Sequence, residues 1–249
     1  MTDEKLGLLT EPHPGQELYK EVNGVKWARY PVKTRLALID DDLNQFLKES
    51  AKPYYKEGDI MCLASKVVSI CKGFYVKESD LKVTWFAKFL TRFVKKWPHD
   101  PGFAIPQKIQ VAMNIVGIPR FVFAMIGGVI MKLLGKPGWF YRLAGHNIGA
   151  IDGFVPEMYP EPLRGYGFLA PTNPDQIADE IERDLGMQTA ILDGNNVDQI
   201  VLGMSKGLID RFGGDYKNSK EHLLKIISGN PQGQTGNTPV LIVREESKN

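Results

Sequence analysis

Thiol chemistry is nearly absent from this chain of 249 residues: Cys62 and Cys71 are its two cysteines, with no Cys-x-x-Cys spacing and no third ligand nearby. That excludes a disulfide framework and reads as two buried free thiols in a reducing compartment. No Gly-x-x-x-x-Gly-Lys-Ser/Thr loop, Gly-x-Ser-x-Gly elbow or zinc spacing occurs, which removes the P-loop, serine-hydrolase and zinc-site readings. Charge of one sign is lacking too. The formal net charge is +2, too mild to imply nucleic acid as a partner. There is no internal repeat, low-complexity tract or obvious linker. The opening MTDEKLGLLTEPHPGQELYK is acidic and mixed, without the basic-then-apolar layout of a signal peptide, so a cytoplasmic location is expected. Long uncharged runs are also missing. Residues 109–134 are very apolar, but Pro119-Arg120 interrupts them and Lys132 ends the rest, short of the ~20 residues a spanning helix needs.

What is present is an ordinary globular composition, 43% hydrophobic and 24% charged, long enough for one sizeable domain or two small ones. Residues 1–29 are read as an N-terminal segment and 30–249 as the main domain. Alternation over 30–38 suggests a strand, and DDLNQFLKESA after it a short helix capped by aspartate. Residues 57–76 read as a turn, a strand, a polar interruption at Ser65-Lys66, and more β-branched residues. Residues 81–97 and 104–134 read as helical, broken at Pro98 and Pro119. The first of these gathers Trp85, Phe86, Phe89, Leu90, Phe93, Val94 and Trp97 on one face, with lysines and Arg92 over much of the rest. Such a face is core or subunit interface, or it makes weak contact with an anionic membrane surface. PTNPDQIADEIERDLG (171–186) is the clearest helix, with Asn173 to cap it, a stripe of Ile177, Ile181 and Leu185, and Gly186 to stop it.

Three stretches suggest chemistry. GHNIGAIDGF (145–154) is glycine-rich, with His146 as a general base or a structural hydrogen-bonder, and Asp152. A short strand after Gly186 ends at Asp193, where ligands collect in open α/β sheets; a simple turn residue is the alternative. NPQGQTGNTPVLIVR (230–244) runs from a polar loop into a buried strand. Its amides and backbone N–H groups suit phosphate or a hard cation, and equally a tight turn.

The pieces VKTRL, EGDIMCLASKVVSICKG, NPDQIADEIERDLGMQTAILD and NPQGQTGNTPVLIVR, in that order over residues 31–244, resemble the coenzyme F-420-0:L-glutamate ligase family, the GTP-dependent γ-glutamyl ligases, as a divergent member. The resemblance implies an α+β fold of mixed β-sheets with flanking helices, arranged as two intertwined subdomains, and a homodimer. It implies GTP with Mg²⁺ or Mn²⁺, and a ligase joining L-glutamate to a small-molecule carboxylate acceptor through an acyl phosphate. Carried over, Leu36, Ser65, Lys66, Gly233, Gln234, Gly236 and Asn237 would line the nucleotide site. Asp152 and Asp193 would act in catalysis as metal ligands sharing one centre, with Gln234 as a third. The chain departs from the family at Ile70, where a phosphate-binding lysine is expected, and at Gly153, Phe154 and Gly194, where polar ligands are expected. A non-catalytic or membrane-associated nucleotide-binding relative, or an amide ligase using another amine, are the alternatives.

Overall fold

The computed structural model describes residues 6–12, 16–94, 102–145, 148–194, 199–229 and 237–246. The chain divides into two compact units, one of residues 1–72 with 171–249, the other of residues 73–170. The first unit opens with strands β1 (Gly7–Leu8), β2 (Tyr19–Val22) and β3 (Val25–Lys33). The strand expected over 30–38 therefore starts earlier and ends earlier, and residue 30 falls inside β3. The cause is Asn23-Gly24, with φ of 54° and 77°: this is the two-residue turn that folds β2 onto β3. Helix α1 (Leu43–Ser50) begins where Asp42 accepts the Gln45 N–H at 2.7 Å, as its capping aspartate predicts.

Strand β4 (Ile60–Ala64) is followed directly by helix α2 (Ser65–Cys71). The β-branched run after Ser65-Lys66 is thus helical rather than extended. Val67, Val68 and Ile70 are buried by that helix, so packing outweighs the weak strand preference of valine and isoleucine.

The second unit contains β5 (Tyr75–Lys77), α3 (Trp85–Leu90), α4 (Pro106–Val116), α5 (Ile118–Leu133), α6 (Trp139–Ala144), β6 (Asp152–Gly153) and β7 (Tyr166–Phe168). Its described strands form an antiparallel sheet in the order β5-β7-β6. Helix α3 is shorter than the 81–97 periodicity suggests and passes into a 3₁₀ turn, Thr91–Phe93. Pro98 lies outside the described residues. The break expected at Pro119 falls at Gly117, whose φ of 82° ends α4, while Pro119 sits in the first turn of α5 where no N–H is needed. Ile109, Ala112, Met113, Phe121, Ala124 and Ile148 make the centre of this unit's core.

The first unit resumes with α7 (Pro174–Leu185), β8 (Thr189–Gly194), β9 (Gln199–Met204), α8 (Lys206–Arg211), α9 (Tyr216–Ile227) and β10 (Val240–Glu246). Helix α7 buries the expected Ile177, Ile181 and Leu185 and stops at Gly186, φ 65°. Asn173 stands at its N-cap position without a side-chain cap bond. The sheet runs β1-β3-β10-β4-β8-β9, with β2 also on β3. Strand β10 is antiparallel to both neighbours and β4–β8 is parallel, so the sheet is mixed. Leu208, Leu223, Ile226 and Ile227 from α8 and α9 cover Ile60, Cys62, Leu241 and Val243.

At the far end of β10, Arg244 forks onto Asp59 just before β4: Nε to Oδ1 at 2.8 Å and Nη2 to Oδ2 at 2.6 Å. Asp59 is buried and also accepts the Lys56 N–H at 2.8 Å. Removing one charge from such a pair leaves the other uncompensated, a loss of about 3 kcal/mol or more. Asp59→Asn is expected to lower the melting temperature by roughly 6–12 °C, given 2–4 °C per kcal/mol at this size; a calorimetric scan reads it. Burial pushes both thiols up to about 12. Iodoacetamide labelling of native protein at pH 8 should therefore be at least ~100-fold slower than in denaturant, where thiols titrate near 8.5.

Candidate functional site

In the first unit, four segments converge at one end of the sheet: the carboxyl ends of β3, β4 and β8, and the residues entering β10. The registers require it, since Val240 stands opposite both Val32 and Leu63, and Ala64 pairs with Leu192. Ala64 N donates to Pro239 O at 2.8 Å, which ties the end of β4 to the approach of β10. Ligands of open α/β sheets collect at such carboxyl ends.

Ser65 and Asp193 meet here. The Ser65 hydroxyl donates to Asp193 Oδ1 at 3.2 Å, although 128 positions separate them. Each is the residue after a buried parallel strand pair, so the backbone holds both without burying the carboxylate completely; Asp193 is half-buried. Lys66 follows on the exposed side of α2, and Leu36 is half-buried beyond β3. Asn237 latches the entry to β10: its Nδ2 donates to Thr34 O at 2.9 Å, while its carbonyl accepts the Thr34 N–H at 3.1 Å. It does so at φ 54°, which asparagine tolerates better than most residues. Its amide donors therefore fix the end of the loop. Gly233, Gln234 and Gly236 lie outside the described residues, as does His146.

The departures have structural reasons. Ile70 is buried in α2, where a lysine head could not reach solvent. Lys72 is held by Glu180 at 3.1 Å. Gly153 needs φ of 96°, and a Cβ there would fall 2.3 Å from Tyr166 O. Phe154 is buried with its ring against Gly167, where a Cβ would meet it at 2.0 Å. These positions serve backbone geometry and packing.

Asp152 belongs to the second unit and Asp193 to the first. Asp152 Oδ1 accepts its neighbour's Gly153 N–H at 2.7 Å and stands 3.8 Å from Lys108 Nζ. Lys108 is buried among apolar residues of α4, so its ammonium needs a nearby anion. Sequence reading missed this residue. The available signal was its place on the same helical face as Val111 and Ala112, an odd position for a lysine.

Among the described residues no group of three or more His, Cys, Asp or Glu is placed to hold a metal. The donor types at Asp193 and Ser65, a carboxylate and a hydroxyl oxygen, do suit a hard divalent cation, with further oxygens needed to fill its shell. At Asp152 the fit is poorer, because a fixed ammonium already sits beside the carboxylate. Two open cavities of the first unit, about 340 and 520 Å³, share Glu57, Gly58 and Arg211 and lie at the amino end of β4, away from Asp193.

The chain is 24% identical over 174 residues to an uncharacterized protein of Methanocaldococcus jannaschii, a match covering 66% of this chain and 56% of that protein. The chain thus spans little more than half the length of that relative. The model of the F420-0:Gamma-glutamyl ligase family matches residues 31–192, a span that includes Ser65 and ends one residue before Asp193. With more than half of its length matched, and with the mixed sheet and flanking helices described above, the chain belongs to the F420-0:gamma-glutamyl ligase family.

Proposed function

We propose that this protein forms an amide bond between L-glutamate and a small-molecule carboxylate acceptor, with GTP as phosphoryl donor and Mg²⁺ or Mn²⁺ bound at the Asp193 end of the sheet. The observation that carries the reading is the Ser65–Asp193 contact at the carboxyl ends of β4 and β8, beside the polar approach to β10, in a chain of ligase family. A carboxylate is a poor electrophile. Transfer of the γ-phosphoryl group to one of its oxygens releases GDP and leaves an acyl phosphate. The neutral amine of glutamate then attacks the carbonyl carbon, inorganic phosphate leaves, and the nitrogen sheds a proton.

A divalent ion would offset the charge of phosphate and carboxylate brought together. Asp193 is the proposed anchor for it, with Gln234 as a further ligand that the family resemblance suggests. Ser65 orients the Asp193 carboxylate by donating to Oδ1, which leaves its second oxygen to face a ligand. The Asn237–Thr34 latch fixes the entry to β10 beside the end of β3. Lys108, 3.8 Å away, supplies positive charge beside Asp152 within the second unit.

A non-catalytic nucleotide-binding relative is the second reading, favoured by the burial of Ile70 where a phosphate-binding lysine is expected. An amide ligase using a different amine is the third outcome the same assay distinguishes.

Mass spectrometry of reactions holding GTP, Mn²⁺, glutamate or other amino acids, and a panel of carboxylates decides among these. Addition of a glutamyl unit to one acceptor is expected. A nucleotide-induced rise in melting temperature with no product from any amine would favour the non-catalytic reading. Asp193→Asn should retain the apo melting temperature but lose the metal-dependent part of the GTP shift and at least ~100-fold in turnover. Ser65→Ala removes one orienting hydrogen bond worth about 0.5–1.5 kcal/mol, so turnover should fall only about 2- to 12-fold. If Asp193→Asn turns over normally, the placement of the metal at this sheet end is wrong.

A further inference from the structure

Between Asp80 and Asp152 the chain carries ten lysines and arginines and a single acid, Asp100. Since the whole chain is only +2, the rest of it is net acidic. This basic stretch builds the helical part of the second unit, and there α5 turns an apolar face outward. Phe121 and Ala124 are buried, whereas Phe123, Ile126, Ile130 and Leu133 are 63%, 53%, 52% and 83% exposed. Their i, i+3, i+7, i+10 spacing puts them in one stripe. A helix on the surface of a water-soluble unit normally carries charge on that side. Here the charges stand at the ends instead, with Arg120 at the start of α5, Lys132 and Lys136 at its close, and Arg142 on α6. Trp85 and Phe93, 76% and 72% exposed, extend the apolar surface, and Phe93 shares a cavity of about 450 Å³ with Met125, Val129 and Lys132.

We propose that this face of the second unit is a lipid-binding surface that docks on a bilayer with anionic headgroups, the α5 stripe entering the acyl boundary and the cavity receiving an alkyl chain. Spanning is not the mode. Among the described residues no single helix is long and apolar enough to cross a membrane, and α4 and α5 pass only as a pair bent by 114°. The 16 residues of α5 reach about 24 Å, against roughly 30 Å of hydrocarbon. A second copy is a poorer occupant than lipid. A two-fold interface would bring the same basic residues together, and the stretch has almost no acid to pair with them. Anionic headgroups meet both demands, charge at the rim and an apolar phase for the stripe.

The full chain should sediment with vesicles of phosphatidylcholine containing phosphatidylserine, and its tryptophan emission should shift to the blue, a shift that Trp85→Phe diminishes. Partitioning should fall about tenfold in ~0.5 M salt, where the Debye length shrinks to a few ångströms. The double variant Phe123→Asp, Ile130→Asp changes exposed positions, so it should keep its melting temperature while losing at least tenfold in vesicle binding. Lys132→Glu with Lys136→Glu should remove most of the salt-dependent part. Failure to sediment, or equal binding to pure phosphatidylcholine, overturns the proposal. So does a dimer that the Phe123→Asp, Ile130→Asp variant dissociates while vesicles bind neither form, which would assign the face to a second copy.

Discussion

The first unit depends on the pairing of β10 with both of its neighbours. Val240, Leu241, Ile242 and Val243 are fully buried, and their backbone groups are satisfied by β3 on one side and β4 on the other. Each such side chain contributes about 1.5–3 kcal/mol of burial, so four in a row outweigh any single polar contact in the unit. The Arg244–Asp59 fork closes the far end of the ladder, and the Asn237–Thr34 latch closes the near end. Next to the near fixing, the Ala64 N–H donates to the Pro239 carbonyl at 2.8 Å, which sets the entry to β10 beside the carboxyl end of β4.

That arrangement explains which parts of the molecule were readable in advance. Helix α7 was legible because its stripe, its first-turn proline and its terminal glycine all agree. The β10 strand and the capped α1 were legible for the same reason of local consistency. Helix α2 was not, because Val67, Val68 and Ile70 favour strand locally and only the core they enter makes them helical. The β2–β3 hairpin escaped because its Asn23-Gly24 turn lies in a segment that looks merely polar. No linker composition marks the division into two units, so periodicity had nothing with which to draw it.

The arrangement of the candidate site was legible to a similar, uneven degree. Ser65 stood out as a polar interruption after an apolar strand and Asp193 as the end of an apolar run, and the two are in contact. Lys108 was hidden inside an apolar helix, and its relation to Asp152 depends on how that helix meets β6. The positions where this chain departs from its family have become part of the framework. Gly153, in β6, and Phe154 after it fit closely against β7, and Ile70 fills core space. Restoring polar ligands at these points would therefore disturb packing before it could alter chemistry.

The central place of β10 has a consequence for how the polypeptide is made. A sheet ordered β1-β3-β10-β4-β8-β9 cannot zip together from residue 7 onward, because the strand that separates β3 from β4 is synthesised after every other described strand. Residues 73–170, by contrast, are complete before α7 emerges. During vectorial synthesis the inserted unit can fold while the edges of β3 and β4 wait unpaired, with their apolar faces open to solvent. Such waiting edges are sticky, and nascent chains stalled before residue 240 would be the species most in need of a chaperone.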